Sequence, residues 1–487
     1  MTVPVADPAR AGWHRLSPRM LLVHPVHEVL QQIPLLVGSV VLGSATGNPM
    51  WLVGALAMTV VFGVARWFTT AYRIEDDEVE LRTGVLQRKV LSVPRNRIRS
   101  VSTDARLLHR LLGLTVLRVS TGQEATGDGA FALDAVETDE VPRLRAILLA
   151  ESTADPAGPA TTAPRRELAR WQPAWLRYSP LSFTGLAMIV GAVGVVYQAG
   201  AGTVLHESRL ARLGLDTAER FGVAVTVAAV VLAVVAASVV LSVLRSLATY
   251  GNLVLSRDRE MLHLGHGLLR VRQHTFDMRR LRGGTLREPL LVRALGGARL
   301  DAVMTGVNGA GEASLLLPPC PADMAARVLT ELIGRPDAVS GPLRGHGAAA
   351  TRRRWIRALT VPVLLLAILV VLAVLGSVPV WVWPGLAALT ACCALLAMDR
   401  ARSLGHRVDA AWLVARAGSV ERRRDCIATA GIIGWTVRQT FFQRRAGLAT
   451  LIAATAAGVK RYQVVDVPVE VAWDIAAVAT PWAAELR

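Results

Sequence analysis

Two patterns of hydrophobic and polar positions follow each other along the chain. Long apolar runs come in pairs, and each pair is followed by a segment in which every second residue is apolar. The runs approach the roughly 20 residues that a helix needs to cross a bilayer, so they predict six transmembrane helices. They cover residues 33–45 with Val29 and Leu30 before them, 51–67, 181–196, 221–244, 355–378 and 380–398.

The connections between the runs predict three helical hairpins. "SATGNPM" joins the first pair and "GSVPV" joins the third, and neither connection carries a charge. The middle pair has a longer loop, 197–220, in which acidic residues balance the arginines. The other ends of the runs are rich in Arg, which favours a cytoplasmic position. We therefore expect a multi-pass protein of the cell membrane with both termini and all long polar segments in the cytoplasm.

The alternating segments predict β-rich units. "DEVELRTGVLQRKVLSV" and "REMLHLGHGLLRVRQHTF" place apolar residues at every second position around a glycine, which is typical of an antiparallel hairpin. A further pair of strands follows in each, for example "GLTVLRVSTG" and "GAFALDAV". Each segment then ends in a helix-like stretch such as "PADMAARVLTELI". The pattern indicates a small sheet or partly open barrel that is capped by a C-terminal helix.

The β-rich unit occurs three times. Gly113, Gly296 and Gly447 each close a basic, apolar stretch, and 29 residues before them stand Gly84, Gly267 and Gly418. The first linker, 151–170, and the second linker, 335–354, are rich in Ala, Pro, Gly and Thr, so we expect them to be flexible. The predicted order is an N-terminal segment (1–28), hairpin one (29–68), module one (69–150), the first linker, hairpin two (171–246), module two (247–334), the second linker, hairpin three (355–399) and module three (400–487).

Composition supports a chain that is partly in the membrane and partly in water. Hydrophobic residues make up 52% of the chain, and charged residues still make up 19%. The net charge of +17 is explained by Arg along an anionic cytoplasmic leaflet, and no recognition-helix or stacking pattern points to nucleic acid. No cleavable signal is visible. The four Cys residues are solitary or adjacent within an apolar run, so they imply no disulfide framework.

The sequence predicts no catalytic, metal or cofactor site. No nucleophile with a base and an orienting partner stands out. "HLGH" places His263 and His266 close to His274, but a closed zinc site needs four ligands, and polar residues beside a hairpin turn are the simpler interpretation. Trp followed by Arg opens each hairpin, as in "WHRLSP" and "WLRYSP". We expect these Trp side chains to anchor at the membrane interface.

A basic strip in module one is the candidate binding surface. Arg95, Arg97 and Arg99 share one face if they alternate along a strand. A solvated basic face needs no ligand, and the sequence alone favours that interpretation slightly; lipid headgroups and an acidic partner segment are the functional alternatives. The candidate residues are Arg88, Lys89, Arg95, Arg97, Arg99, Arg106 and Arg110 in module one, with Arg279, Arg280 and Arg282 in module two.

The segment "YRIEDDEVELRTGVL", followed by "VPRNRIRSVST" and "RLLHRLLGL", resembles the membrane-anchored bacterial pleckstrin-homology-like (PH-like) family. Module two keeps the register of these motifs, whereas module three lacks the basic strand. The resemblance implies an α+β membrane protein in which each hairpin carries a cytoplasmic PH-like module with a C-terminal helix. It also implies, as a partner, a smaller membrane protein with one such module.

The sequence therefore favours a non-enzymatic membrane scaffold. Its modules would contact lipids, anionic ones above all, or proteins at the cytoplasmic face, and the resemblance implies a role in envelope integrity or in defence against membrane-active compounds. The alternative is a component of a membrane transport or export system. The apolar runs carry no Asp, Glu, Lys or Arg near their midpoints, which favours anchors over a transport pathway.

Overall fold

The structure is a computed structural model. It describes residues 12–15, 17–19, 68–75, 77–84, 88–95, 98, 100–120, 131–149, 165–182, 187–191, 222–306, 314–376 and 378–486, with positions 50, 54, 57, 61, 64 and 65. The chain divides into two compact units: unit one holds 1–170 and 248–279, and unit two holds 171–247 and 280–487. Module two therefore contributes strands to both units.

Unit one begins with a four-stranded antiparallel sheet in the order β1-β2-β3-β4. Its strands are β1 (His14–Arg15), β2 (Ala71–Ile74), β3 (Glu78–Thr83) and β4 (Lys89–Pro94). Tyr72 and Ile74 are buried, as are Val79 and Leu81, because alternate residues of a strand point to the same face. Gly84 follows β3 with a φ of 116°, so the predicted hairpin with a glycine at its tip is confirmed.

A seven-stranded antiparallel sheet of unit one joins strands of two modules. Its strands are β5 (Ser100–Ala105), β6 (Leu114–Ser120), β7 (Phe131–Glu137), β8 (Arg166–Arg170), β9 (Val254–Asp258), β10 (Met261–His266) and β11 (Val271–Asp277). They are arranged in the order β7-β6-β5-β11-β10-β9-β8. Helix α1 (Leu107–Leu111) connects β5 to β6, and α2 (Val141–Leu149) follows β7 and buries Leu144 and Leu148 in the core of module one.

Unit two repeats this arrangement with the next pair of modules. Its six-stranded sheet has the order β14-β13-β12-β17-β16-β15, and a three-stranded sheet has the order β18-β19-β20. The strands are β12 (Leu281–Pro289), β13 (Gly297–Met304), β14 (Leu315–Pro321), β15 (Gly405–Val408), β16 (Trp412–Ala417), β17 (Glu421–Ala428), β18 (Ile432–Arg438), β19 (Leu448–Thr455) and β20 (Arg461–Pro468).

Three helices in the described part of the chain are long and apolar enough to cross a membrane. They match the fourth, fifth and sixth predicted spans. The first predicted span lies outside the described residues, and so does most of the second and third, so the six-helix, three-hairpin arrangement stays a prediction. The candidate spans are α3 (Val223–Tyr250), α7 (Gly347–Leu375) and α8 (Val382–Ser403). The other helices after α2 are α4 (Leu290–Ala294), α5 (Ala322–Ile333), α6 (Pro336–Ser340), α9 (Phe441–Arg445) and α10 (Val469–Ala479).

The expectation that the second linker is flexible is wrong. Its residues include α6, in which Ala338 and Val339 are buried, and its last eight residues form the start of α7. Burial of the Ala338 and Val339 side chains stabilises an ordered conformation of this segment, although its Ala and Gly content favours flexibility. The first linker falls mostly outside the described residues, and its end forms β8.

The expectation that the Trp of "WLRYSP" lies at the membrane interface is also wrong. Trp175 and Tyr178 are buried in a 3₁₀ segment, Pro173–Ser182. Tyr178 packs against Gly297, where an added Cβ would come within 2.5 Å of the ring. The large rings fill the core of unit two, since their burial there removes more apolar surface from water than an interfacial position would.

Candidate functional site

The first joint is the pairing of β5 from module one with β11 from module two. Its register runs from Ala105–Val271 to Ser100–Phe276. Arg270, one residue before β11, donates from Nε to Oδ1 of Asp104 at 2.6 Å and also contacts Oδ2. Burial alone would raise the pKa of Asp104, but the hydrogen bond and charge of Arg270 outweigh it and lower the pKa below its ordinary value. The pair therefore fixes the two modules by charge as well as by backbone bonds.

The second joint is the pairing of β12 from module two with β17 from module three. Its register runs from Gly283–Ile427 to Pro289–Glu421. Thr285 donates from Oγ1 to Oδ1 of Asp425 across the joint at 2.7 Å. Gly283 has a φ of 141°, and an added Cβ there would lie 1.8 Å from the carbonyl oxygen of Cys426. The close approach of the two backbones therefore requires glycine at this position.

A polar cavity of about 400 Å³ lies beside the second joint, within unit two. Arg287 reaches Oδ2 of Asp301 at 2.6 Å and Oε1 of Glu421 at 3.2 Å, and Arg423 reaches Oε2 of Glu421 at 2.6 Å. Burial raises the pKa of Asp301, against the lowering effect of Arg299 and Arg287. Of these contacts, the pair between Arg287 and Glu421 crosses from β12 to β17, so it helps to hold the joint together.

Within the described residues, Arg95 of the predicted basic strip in module one does not lie on a strand, because β4 ends at Pro94. Arg88 and Lys89 are exposed at the start of β4. Arg95 lies in a turn after β4, where Ile98 donates its backbone N–H to the Arg95 carbonyl at 3.0 Å, and the Arg95 side chain contacts the Ile147 carbonyl. The turn arises because Ile98 is drawn into the core. Arg97 and Arg99 lie outside the described residues.

The remaining predicted basic residues are dispersed. Arg106 is half-buried, and burial together with the charge of Arg270 lowers its pKa; Arg110 donates to the Leu268 carbonyl at 2.7 Å. Arg279 belongs to unit one and pairs with Asp277 and Glu260. Arg280 and Arg282 belong to unit two, where the Arg280 carbonyl accepts a bond from Thr305 and the Arg282 side chain lies against Gly431.

Three short helices, α1, α4 and α9, each connect two strands in one module, and we call them the tip helices. Each has a basic side chain in its last turn and exposed apolar side chains within the helix or directly after it. Leu111 is 74% exposed next to Arg110, and Phe442 is 71% exposed near Arg444 and Arg445. From the sequence, these stretches were predicted only as the basic, apolar motif that each repeated glycine closes, and nothing in that motif indicated a binding site.

Two ion-pair networks of unit two tie modules to the ends of candidate spans. Arg293 of α4 and Arg422 of β17 both reach Asp399 near the end of α8, at 2.7 and 2.9 Å. Asp466 of β20 is completely buried and is held by Arg353 and Arg354 of α7, the latter at 2.6 Å. The tip helix α4 therefore lies beside the module end of a candidate membrane span.

The three histidines of module two have partners within unit one. His266 Nδ1 lies 2.8 Å from the Thr249 carbonyl oxygen, and His263 Nδ1 lies 3.2 Å from Thr275 Oγ1. The His274 ring stacks between those of His266 and Phe276. Within the described ranges, no group of three or more His, Cys, Asp or Glu side chains is arranged to hold a metal ion.

Comparison with known proteins agrees with this architecture. The family model described as bacterial PH domain matches residues 29–152 and 356–479, which together make up half of the chain. Module three, in which the basic strand is missing, is thus one of the two matched modules. The UPF0699 transmembrane protein YdbT of Bacillus subtilis (strain 168) is 27% identical over 142 residues, a stretch that covers 27% of this chain and 28% of that protein. No solved structure matches the chain.

Each match to the family model begins in or near a predicted membrane hairpin and extends through the following module. The structure adds apolar helices that are long enough to span a membrane and modules that share one order of strands. The chain therefore belongs to the membrane-anchored bacterial PH domain family.

Proposed function

We propose that this protein is a non-enzymatic integral membrane scaffold that presents three PH-like modules at the cytoplasmic face of the cell membrane. The modules contact anionic lipids and partner proteins, and the scaffold serves envelope integrity or defence against membrane-active compounds. A smaller membrane protein with one PH-like module is the partner we propose. The chain crosses the membrane several times, with both termini in the cytoplasm.

The observation that carries this proposal is the pairing of strands between modules. In the first joint six residues of β5 pair with β11, and in the second joint seven residues of β12 pair with β17. Modules that hang from flexible tethers would each bind independently, whereas modules that share a sheet keep their neighbours in a fixed position. A fixed array is what a scaffold requires.

The tip helices support direct contact with lipid. An exposed apolar side chain beside Arg is the combination that favours a membrane interface, because the apolar group enters the acyl boundary and the guanidinium stays among phosphates. Phe441 and Phe442 are 67% and 71% exposed, and Arg444 and Arg445 lie in the same helix. Arg353 of α7 lies 3.4 Å from Thr440, the residue that precedes this tip helix. The tip is therefore close to the start of a candidate span.

Fluorescence quenching of the full chain in nanodiscs tests this contact. Phe442→Cys carries an environment-sensitive dye, in a background with Cys392→Ala and Cys393→Ala so that the label is specific. Lys460→Cys is the control, because Lys460 is exposed in the turn between β19 and β20. We expect spin-labelled phosphatidylglycerol to quench the dye at position 442 and not at position 460.

The contribution of charge is tested in the same assay. Each Arg near an anionic leaflet contributes about 1 kcal/mol of attraction, which salt weakens. Arg444→Glu with Arg445→Glu should therefore reduce quenching at position 442, and more so for phosphatidylglycerol than for phosphatidylcholine. Equal quenching at positions 442 and 460 would refute lipid contact by this tip.

Transport remains the alternative function. The apolar stretches of α3, α7 and α8 contain no Asp, Glu, Lys or Arg between Val223 and Leu244, between Ala358 and Leu375, and between Val382 and Met398. Coupled transport usually depends on ionisable groups or broken helices inside the bilayer, so these three helices favour anchoring. Substrate-dependent flux into liposomes that contain the purified chain would support transport instead.

A further inference from the structure

The two joints have the same register relative to the repeated glycines. In the first joint Ala105, eight residues before Gly113, pairs with Val271, four residues after Gly267. In the second joint Glu288, eight residues before Gly296, pairs with Arg422, four residues after Gly418. The same rule therefore joins module one to module two and module two to module three. A register that is repeated in both joints indicates a defined interface between two kinds of strand. The first kind precedes a tip helix, as β5 and β12 do, and the second kind follows the glycine of a hairpin, as β11 and β17 do.

Two strands of these kinds have a sheet neighbour on one side only, among the described residues. β4 is the module-one counterpart of β11 and β17, and it pairs with β3 alone. β18 is the module-three counterpart of β5 and β12, and it pairs with β19 alone. As far as the described ranges extend, each edge therefore leaves a row of backbone donors and acceptors open to a further strand.

We propose that β18 of one chain pairs with β4 of a second chain and forms a third joint. The existing joints identify the partner strand. β5 pairs with β11 and β12 pairs with β17, so β18, as their counterpart, should pair with a strand equivalent to β11 and β17. The chain has three such strands, and β4 is the one whose outer edge is not used within the described residues. The third joint continues the interface that already connects the modules, and it associates chains head to tail.

The repeated register fixes which residues meet. Arg438 lies opposite Lys89, Val437 opposite Val90, and Gly434 opposite Val93. Val90 is 54% exposed, and the pairing covers it with a second β-branched side chain, which suits a sheet surface. Gly434 occupies the place that Gly283 has in the second joint, and the space beside it is open, with the nearest atom 3.9 Å from an added Cβ.

Charge limits the strength of the third joint. Arg287 and Arg423 are opposite each other in the second joint, and Glu421 contacts both guanidinium groups. The third joint sets Arg438 against Lys89, two like charges that weaken a cross-strand pair. Arg438→Glu should replace this repulsion with attraction. We expect the variant to lower the dissociation constant of the dimer by roughly two- to tenfold.

Backbone donors provide the second test. In the second joint the N–H of Leu290 donates to the Val420 carbonyl at 2.7 Å, so alternate residues such as Leu286 direct their N–H groups toward β17. The counterpart of Leu286 in β18 is Val437. Val437→Pro removes an outward donor that a monomer does not use, and Val437→Thr keeps the donor and the β-branched shape.

Cross-linking of mixed chains identifies the partner strand. Lys89→Cys in one tagged chain and Arg438→Cys in another, both with Cys392→Ala and Cys393→Ala, are combined in detergent and oxidised. Both positions are exposed, and the register makes them directly opposite. We expect a covalent dimer from this mixture, and none when Arg445→Cys replaces Arg438→Cys, since position 445 is exposed but out of register.

The same preparations give the association constants. Analytical ultracentrifugation in neutral detergent should show a dimer or a longer chain of copies that Val437→Pro weakens at least about tenfold and Val437→Thr leaves almost unchanged. A chain that is monomeric at every concentration would overturn the proposal. So would a cross-link that forms only when both cysteines are on one chain. Neither result affects the lipid contact proposed above, because no anionic lipid is present.

Discussion

Arg270 and Asp104 meet across the first joint, with 2.6 Å between Nε and Oδ1, although they belong to different modules. The Asp104 side chain is 9% exposed and the Arg270 side chain 35% exposed, so Asp104→Asn leaves a partly desolvated cation without its counter-ion. We expect Asp104→Asn to lower the free energy of opening that protects the β5 and β11 amides from hydrogen exchange, by about 1–3 kcal/mol. Exchange of the β19 amides should stay unchanged. Equal protection of β5 in both proteins would show that the pair does not hold the joint.

Acid should weaken the same joint. The pKa of Asp104 is lowered in the folded protein, so its contribution is complete above its unfolded value of about 3.9 and is lost as the pH falls below that value. Exchange of the β5 amides, corrected for the intrinsic effect of pH, should therefore increase below about pH 4 in the parent chain. Asp104→Asn removes the titrating group, and its corrected exchange should not change over this range.

A matched pair of glycines tests the close approach in the second joint. Gly283→Ala needs a φ of 141° and places Cβ 1.8 Å from the Cys426 carbonyl oxygen, so we expect it to open the β12–β17 pairing and lower the melting temperature by several degrees. Gly434→Ala, at the counterpart position of β18, meets nothing closer than 3.9 Å and should melt close to the parent. Similar melting of the two variants would contradict this account of Gly283.

The sequence was sufficient to predict the modules but not the way they are joined. Alternation around Gly84 and Gly267 predicted the hairpins correctly, because side-chain burial alternates with the pleat. Pairing between modules depends on backbone groups that every residue carries, so residue types gave no signal for β5 with β11. The partner of Asp104 was missed for the same reason, as Arg270 is 166 residues away.

One part of the basic-strip prediction, that Arg95 lies on a strand, is wrong, whereas its shared face with Arg97 and Arg99 stays a prediction. A period of two predicted that Arg95 continues a strand, but burial of Ile98 turns the chain there. The corresponding residues form 3₁₀ turns in the other modules, Met278–Arg280 and Thr429–Gly431. Comparison of the three modules at this position would have indicated a turn, because Gly431 stands in the module-three segment.

Asp466 should be essential for docking module three onto α7. It is completely buried between Arg353 and Arg354, so Asp466→Asn leaves two cations without their counter-ion. We expect a loss of about 3–5 kcal/mol in the free energy of unfolding, measured by denaturant titration in detergent. Asp337→Asn is the control, since the Asp337 side chain is 78% exposed and its pair with Arg407 at 3.6 Å should contribute less than about 1 kcal/mol.

Two histidines should make module three sensitive to mild acid. His346 and His406 have rings 5.1 Å apart, and they lie near Arg344, Arg354 and Asp466. Burial lowers the pKa of both, that of His406 to about 4. As the pH falls, these histidines therefore bind protons in the unfolded chain at a higher pH than in the folded chain. The free energy of unfolding decreases as the pH falls from about 6.5 toward about 4. His406→Phe should flatten the fall in melting temperature between pH 6.5 and 5, and an unchanged slope would exclude His406 as its cause.

Disulfide formation across the first joint shows directly whether neighbouring modules share one sheet in a fixed register. Ser102→Cys and His274→Cys are opposite each other, and both positions are half-buried. In membranes that contain the full chain with Cys392→Ala and Cys393→Ala, oxidation should close this pair within one chain. The pair Ser102→Cys with Gln273→Cys should stay open, because a shift of one residue turns the side chain to the other face of the sheet. If both pairs close equally, or if neither closes, the modules are not joined as described.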